Sequence, residues 1–262
     1  MNRRDFVRGA LAGFVPGAAA AVAVNAVRTR QKDEIEKERT DQPRRPPESR
    51  LSFSQQGEDI VMYHALHDTL KIEKPTYIDV GAAHPIRSNN TYLLYGTGAR
   101  GVLVEPNPAY VKMLRESRPG DTVVPAGIGI DDAEAADYYE IQGAPMLNTF
   151  SSEQAEYLKK QGKIVERVSK MPLININRVI KEQLGDRTPD LLSTDIEGLD
   201  YAVIKSLDMS KHRPGVICAE GVPMFEKGKL GELATYLIAQ DYVVRGGSMV
   251  NTVFVDARRL KD

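Results

Sequence analysis

The stretch "YIDVGAAHPIRSNNTYLLY", residues 77–95, decides the fold class. An apolar β-rich run, Tyr77–Val80, stops at Asp79-Val80-Gly81 and gives way to Ala, Ala, His and Pro before the chain reopens on Ser88-Asn89-Asn90. A strand that ends on a carboxylate and a glycine just before a helix start is the opening unit of an open parallel sheet, where ligands dock beyond the carboxyl ends of the strands. Ser88 is the expected cap of the following helix, and Asn89 and Asn90 are expected to face ligand or solvent.

Downstream, short β-rich runs alternate with segments of helical period, which predicts an α/β fold with a mostly parallel sheet covered by helices on both faces. The expected strands are 77–80, 101–104, 122–124, 138–141, 191–194, 215–219 and a closing antiparallel pair, 242–244 and 250–255, joined by the glycine turn in "RGGSMVN". Asn107-Pro108 reads as an N-cap with proline at the first helical position, ahead of an inward stripe of Val111 and Leu114. Ser151 and Gln154 have capping-box spacing, with Gly162 as the stop. In "KLGELATYLIAQ", Leu230, Leu233, Leu237 and Ile238 are expected along one helix face.

Composition bounds the rest. At 262 residues, 42% hydrophobic and 27% charged, the chain holds one sizeable globular domain with a real core. A formal net charge of −1, with no basic-aromatic stripe, argues against nucleic acid as a partner. The lone cysteine, Cys218, excludes an internal disulfide and a cysteine zinc cluster, and its apolar surroundings read as core. Residues 1–27 are of another kind. Arg3-Arg4 and Phe6 precede a small, apolar stretch from Gly9 to Val27, which is the layout of a twin-arginine signal. Its rival is an uncleaved membrane anchor, since about 20 apolar residues span a bilayer. Residues 28–50, dense in charge and closing on "QPRRPPESR", read as a linker, and 51–262 as the folded domain.

The expected strand ends carry Asp79 and Gly81, Glu105, Asp195 and Glu197, and Glu220. Glu105 follows the second strand at the place where nucleoside-binding sheets put the acid that holds ribose hydroxyls. A pyrophosphate ligand needs glycines beyond the first so that the backbone can approach its phosphates, and "GAAHPIR" lacks them. That disfavours a nicotinamide oxidoreductase. An adenosine-type ligand without phosphates fits better, with a sulfonium cation near several carboxylates.

Taken together and in order, "SQQGEDIV", "YIDVGAAHPIRSNNTYLLY", "GVLVEPNP", "LNTFS" and "LLSTDIEGLDYAVIKSL" resemble the FkbM-type family of S-adenosylmethionine-dependent methyltransferases, over about Ser54 to Val255. The resemblance implies a Rossmann-like class I fold with a seven-stranded sheet, S-adenosyl-L-methionine as cofactor, and O-methylation of a sugar, glycan or natural-product hydroxyl. It implies that Asp79, Gly81 and Ala83 shape the cofactor loop and that Glu105 holds the ribose. Asp131, in the "GIDD" stretch after the third strand, falls where such folds place the adenine.

Methyl transfer needs an acceptor oxygen held in line and a base for its proton. Asp195 is the expected base, with Glu197 and His84 behind it. Glu197 and Asp200 have the competing reading of carboxylates that favour a helix N-terminus, and His84, before Pro85, that of a turn residue. Asn148, Thr149 and Ser151 are the polar residues expected to border the acceptor pocket, and no metal is assigned. Export would separate the domain from a cytosolic methyl donor. The expected arrangement is therefore an enzyme anchored at the bacterial inner membrane with its domain in the cytoplasm. The alternative is an exported, periplasmic, non-catalytic glycan- or small-molecule-binding module on the same fold.

Overall fold

The computed structural model describes residues 51–131, 133–196, 198–220, 225–226 and 229–260. The signal-or-anchor segment 1–27 and the linker 28–50 lie outside the described residues.

The main sheet has seven strands: β1 (Thr76–Val80), β2 (Arg100–Val104), β3 (Thr122–Val124), β7 (Leu191–Thr194), β8 (Val216–Glu220), β11 (Tyr242–Gly247) and β12 (Asn251–Asp256). Their spatial order is β11-β12-β8-β7-β1-β2-β3. The run from β8 to β3 is parallel, and β12 is inserted antiparallel between β8 and β11. Strand order reverses between β1 and β7, so a crevice opens there at the carboxyl edge.

Alternation along the strands builds two cores. Ile78, Val80, Val102, Leu192, Ile217 and Phe254 face one side, against α5 (Ile176–Leu184), α6 (Asp200–Ser206) and α7 (Glu232–Ala239). Tyr77, Leu103, Leu191, Val216, Cys218 and Val253 face the other, against α1 (Glu58–His64), α2 (Tyr92–Gly96) and α3 (Pro108–Ser117). Such side chains contribute about 1.5–3 kcal/mol each when fully buried, which is why these strands read as nearly continuous apolar runs. Cys218 is fully buried, and burial pushes its thiol up.

Several helix ends fall where the residue types put them. The Asn107 side chain accepts from the Ala109 N–H ahead of α3, and Val111 and Leu114 are buried. The Ser151 side chain accepts from the Gln154 N–H ahead of α4 (Ser152–Lys160), and Gly162 takes a left-handed conformation just past its end.

Other expectations are corrected. Ser88 does not cap α2: Thr91 is the N-cap residue, and Ser88 has φ +50° in the loop before it. The helix expected to carry Leu230 begins at Glu232, Leu230 lies in the two-residue strand β10 (Lys229–Leu230) paired with β9 (Phe225–Glu226), and Ile238 is 43% exposed. Strand 138–141 does not join the main sheet. It belongs to β5 (Ala135–Ile141), which pairs antiparallel with β6 (Val165–Asn175), while β4 (Gly127–Gly129) runs parallel on the far side of β6. This three-stranded unit stands at the carboxyl edge and supplies a wall of the site.

Candidate cofactor and methyl-transfer site

The site begins at the turn after β1. Gly81 has φ +79°, and a Cβ placed there would lie 2.1 Å from the Asp195 carbonyl oxygen. The segments leaving β1 and β7 touch backbone to backbone at this point, joined by the Asp195 N–H to Val80 carbonyl bond (3.0 Å), while the Gly81 N–H to Val104 carbonyl bond (2.9 Å) ties the turn to β2. Only glycine satisfies both the left-handed backbone and the close approach.

Glu105, 4% exposed, sits beside this turn. Its Oε2 accepts from the Ala83 N–H (2.8 Å) and its Oε1 from the Asn107 N–H (2.7 Å). Burial pushes its carboxyl up to about 7, against the pull of these two N–H groups, and the Asp79 charge adds to the rise. Each oxygen keeps lone-pair capacity for a further donor.

Around the turn lies a cleft of about 190 Å³, open on one side to solvent. Gly81, Ala83, Glu105 and Asp195 line one side. Ala126, Gly127 and Ile128, at the start of β4, line another, where a Cβ on Gly127 would meet the Phe150 ring at 2.4 Å. Tyr138, Asn148, Thr149 and Phe150 come from β5 and the loop after it, and Ile196 and Leu199 close the β7 side. Glu105 and Asp195 are the charged side chains of the lining; no lysine or arginine is among the described lining residues. That set of acceptors suits a ligand with hydroxyls to donate, a flat apolar ring and a positive centre, and it brings no cationic side chain to a phosphate. S-adenosylmethionine has this chemistry.

The residues singled out from the sequence divide into two groups. Gly81, Ala83, Glu105, Asn148, Thr149 and Asp195 share the cleft. Asp79, His84, Asp131 and Ser151 do not line it, and Glu197 lies outside the described residues. Asp79, 2% exposed, accepts from the Thr91 hydroxyl (2.6 Å), and burial raises its carboxyl despite that bond and the nearby Arg118. His84 is occupied by its own turn. Its Nδ1 accepts from the Ile86 and Arg87 N–H groups (3.1 and 3.0 Å), Nε2 lies 3.3 Å from Arg87 Nε, and burial together with Arg87 lowers its pKa. Asp131 is exposed and accepts from the Ala133 N–H. The cleft beyond β3 is lined by Ala126–Ile128 instead. Ser151 is the α4 cap.

Asn148 and Thr149 are also committed to the wall. Asn148 Oδ1 accepts from the Ile141 N–H (2.8 Å) and its side chain bonds the Tyr138 hydroxyl, while Thr149 Oγ1 accepts from the Ser151 N–H (3.0 Å). Asp200, the first residue of α6, is 2% exposed, and burial pushes its carboxyl up to about 6. Gln55, Tyr110, Tyr138, Phe150 and Leu199 line the cleft without having been singled out. Three of them fall inside stretches that carry the resemblance, Gln55 in "SQQGEDIV", Phe150 in "LNTFS" and Leu199 in "LLSTDIEGLDYAVIKSL". Among the described residues no group of three or more His, Cys, Asp or Glu is placed to hold a metal.

A seven-stranded sheet with one reversed strand near its edge, an acid at the end of the second strand and a cleft at the β1/β7 reversal define a class I S-adenosylmethionine-dependent methyltransferase. The Methyltransferase FkbM domain matches residues 79–244. The chain belongs to the FkbM methyltransferase family, and S-adenosylmethionine is its cofactor.

Similar solved structures include a methyltransferase from Geobacter sulfurreducens (12% identity, 98% of this chain and 96% of that one, TM-score 0.40). An O-methyltransferase from Bacillus cereus in complex with SAH is 12% identical over 96% of this chain and 94% of that one, with a TM-score of 0.36. A TehB-like SAM-dependent methyltransferase from Corynebacterium glutamicum is 8% identical over 78% of this chain and 89% of that one, with a TM-score of 0.40. Among curated proteins, no sequence matches the chain.

Proposed function

We propose that the chain methylates a hydroxyl of a sugar, glycan or natural product, with Asp195 as the base. The observation that carries this reading is the presence of Asp195 in the same cleft as Gly81 and Glu105. S-adenosylmethionine, when bound, supplies a methyl group on a positively charged sulfur. Glu105 holds the ribose hydroxyls with the lone pairs left over from Ala83 and Asn107, and the Ala126–Ile128 edge with Phe150 receives the adenine. Asp195 orients the acceptor hydroxyl and takes its proton as the new C–O bond forms and the C–S bond breaks. Positioned base catalysis of this kind contributes about 10²–10⁴-fold.

The N-terminal reading belongs to the same proposal. Residues 9–27 hold the enzyme at the inner membrane with the domain in the cytoplasm, where the methyl donor is made. The Arg3-Arg4 pair favours the second reading, an exported binding module in the periplasm. Among the described residues no helix is long and apolar enough to cross a membrane, and residues 9–27 are not among them.

Methyl-labelled S-adenosylmethionine and the full chain, incubated with glycan and small-molecule extracts, test the reaction. Label should enter a hydroxyl, and Asp195→Asn should lower transfer at least 10²-fold while donor affinity stays within a few-fold. Equal transfer by Asp195→Asn would remove Asp195 as the base. A topology reporter fused to the carboxyl terminus separates the two locations: signal only on the periplasmic side, with no transfer, would replace the enzyme by the binding module.

A further inference from the structure

We propose that Arg118 is a positioning residue for the donor-binding turn, acting through Asn89 on the peptide unit between Ala82 and Ala83. Arg118 follows α3, is fully buried, and does not line the cleft. Its Nε and Nη2 bond Asp121, Nη2 also donates to the Tyr77 hydroxyl (2.9 Å) and to Thr91 Oγ1 (3.0 Å), and Nη1 donates to Asn89 Oδ1 (3.0 Å). Because a guanidinium only donates, Asn89 Oδ1 is fixed as the acceptor, and its Nδ2 must point the other way. It donates to the Ala82 carbonyl at 2.9 Å.

That carbonyl belongs to the peptide whose N–H is Ala83. The Ala83 N–H is the donor to Glu105 Oε2. One peptide plane is therefore held at its oxygen by Asn89 and at its nitrogen by Glu105, and the far end of the Asn89 clamp is Arg118. A second branch runs from Arg118 through the Thr91 hydroxyl to Asp79.

The turn needs outside support. Ala83 and Ser88 have φ +47° and +50°, left-handed values that persist in non-glycine residues only where the surroundings over-determine them. Stability alone is a weak reason to bury a guanidinium, since well-packed apolar residues often do as well or better. What the fork supplies is simultaneous orientation of Asn89, which ends on the turn at the Ala82 carbonyl, and Thr91, which ends on Asp79 in β1. A lysine at this position keeps the charge but cannot make the same set of bonds.

Calorimetric titration of the full chain with S-adenosylmethionine tests this, using Arg118→Lys, Asn89→Ala, the double variant, and Leu114→Val as a control that perturbs only the packing of α3. Affinities are measured well below each melting temperature, with the fold checked by circular dichroism, and across pH. The charged or titratable groups facing Glu105 are Asp79, Tyr110 and Tyr138, and both tyrosines are pushed up by burial.

Folded Arg118→Lys should bind the donor at least tenfold more weakly. The pH midpoint of binding should also move upward, because Glu105 loses an N–H that favours its charged form. The double variant should lose less than the sum of the two single losses, any excess over Asn89→Ala alone being the Thr91 branch, and Leu114→Val should lose stability but not affinity. Wild-type affinity and midpoint in folded Arg118→Lys, or penalties that add in the double variant, would overturn the proposal. If Arg118→Lys does not fold, Asn89→Ala decides the matter by the same two readouts. Failure of the wild type to bind would overturn the proposal together with the donor assignment.

Discussion

At the scale of single residues, Gly81 and Glu105 carry the sharpest expectations. Gly81→Ala combines a left-handed backbone (~1–2 kcal/mol) with a clash whose relief costs about 1–3 kcal/mol. Its melting temperature should fall, and the protein that remains folded should bind S-adenosylmethionine at least tenfold more weakly by calorimetry. Glu105 makes a prediction in pH. Its carboxyl is held at about 7 in the folded chain, above its ordinary 4.5, so the folded state binds the proton more tightly across that interval. The resulting stabilisation is complete below the lower value and is lost as pH rises through the upper one. The apo protein should therefore lose more melting temperature between pH 5 and 8 than Glu105→Gln does. With Glu105 in its proposed role, ribose hydroxyls donate to the charged form, so donor affinity should rise over the same interval with release of a proton, read from calorimetry in buffers of different ionisation enthalpy. A flat profile would mean Glu105 is already charged without ligand.

At the scale of elements, the hairpin of β5 and β6 and the loop between them depend on Asn148. Asn148→Ala leaves the Ile141 N–H and the Tyr138 hydroxyl without their partner, each loss worth about 1–3 kcal/mol where the group is buried. Thermal melts should show that destabilisation, and donor affinity should drop because Tyr138 and Phe150 line the cleft. These elements were also the least legible in the sequence. Strands such as 77–80 and 191–194 announce themselves because both faces are buried, and their terminal residues, Gly81, Glu105 and Asp195, could be picked out with them. β6, "VERVSKMPLIN", has largely half-exposed or exposed side chains, so no apolar run marks it. Tyr138 is placed by pairing with residues some thirty positions away, and Phe150 follows the bridge between Tyr139 and Thr149, neither of which a local pattern encodes. The loop before α2 misled for a related reason. Ser88 looks like a cap, but Asn89 and Thr91 are drawn into the buried Arg118 network, and the helix starts later.

At the scale of the molecule, the two cores share one thin sheet. Phe254, on β12, is fully buried, and Phe254→Ala should cost about 3–5 kcal/mol, a large share of the ~5–15 kcal/mol that holds a domain together. Saturating S-adenosylmethionine should restore part of this, about 2.7 kcal/mol at a hundredfold excess over Kd, visible as a ligand-dependent rise in melting temperature. No rise in either protein would contradict a preformed donor site.

The close contact of the two chain segments at Gly81 and Asp195 has a consequence for how such an enzyme can diversify. The segment after β1 and the segment after β7, which carries the proposed base, touch backbone to backbone, so neither can be displaced without moving the other. A lineage exploring new acceptors has little freedom at this point. It has much more in the three-stranded wall, which borders the same cleft but is built from pairings of its own, and that is where sequence drift should concentrate.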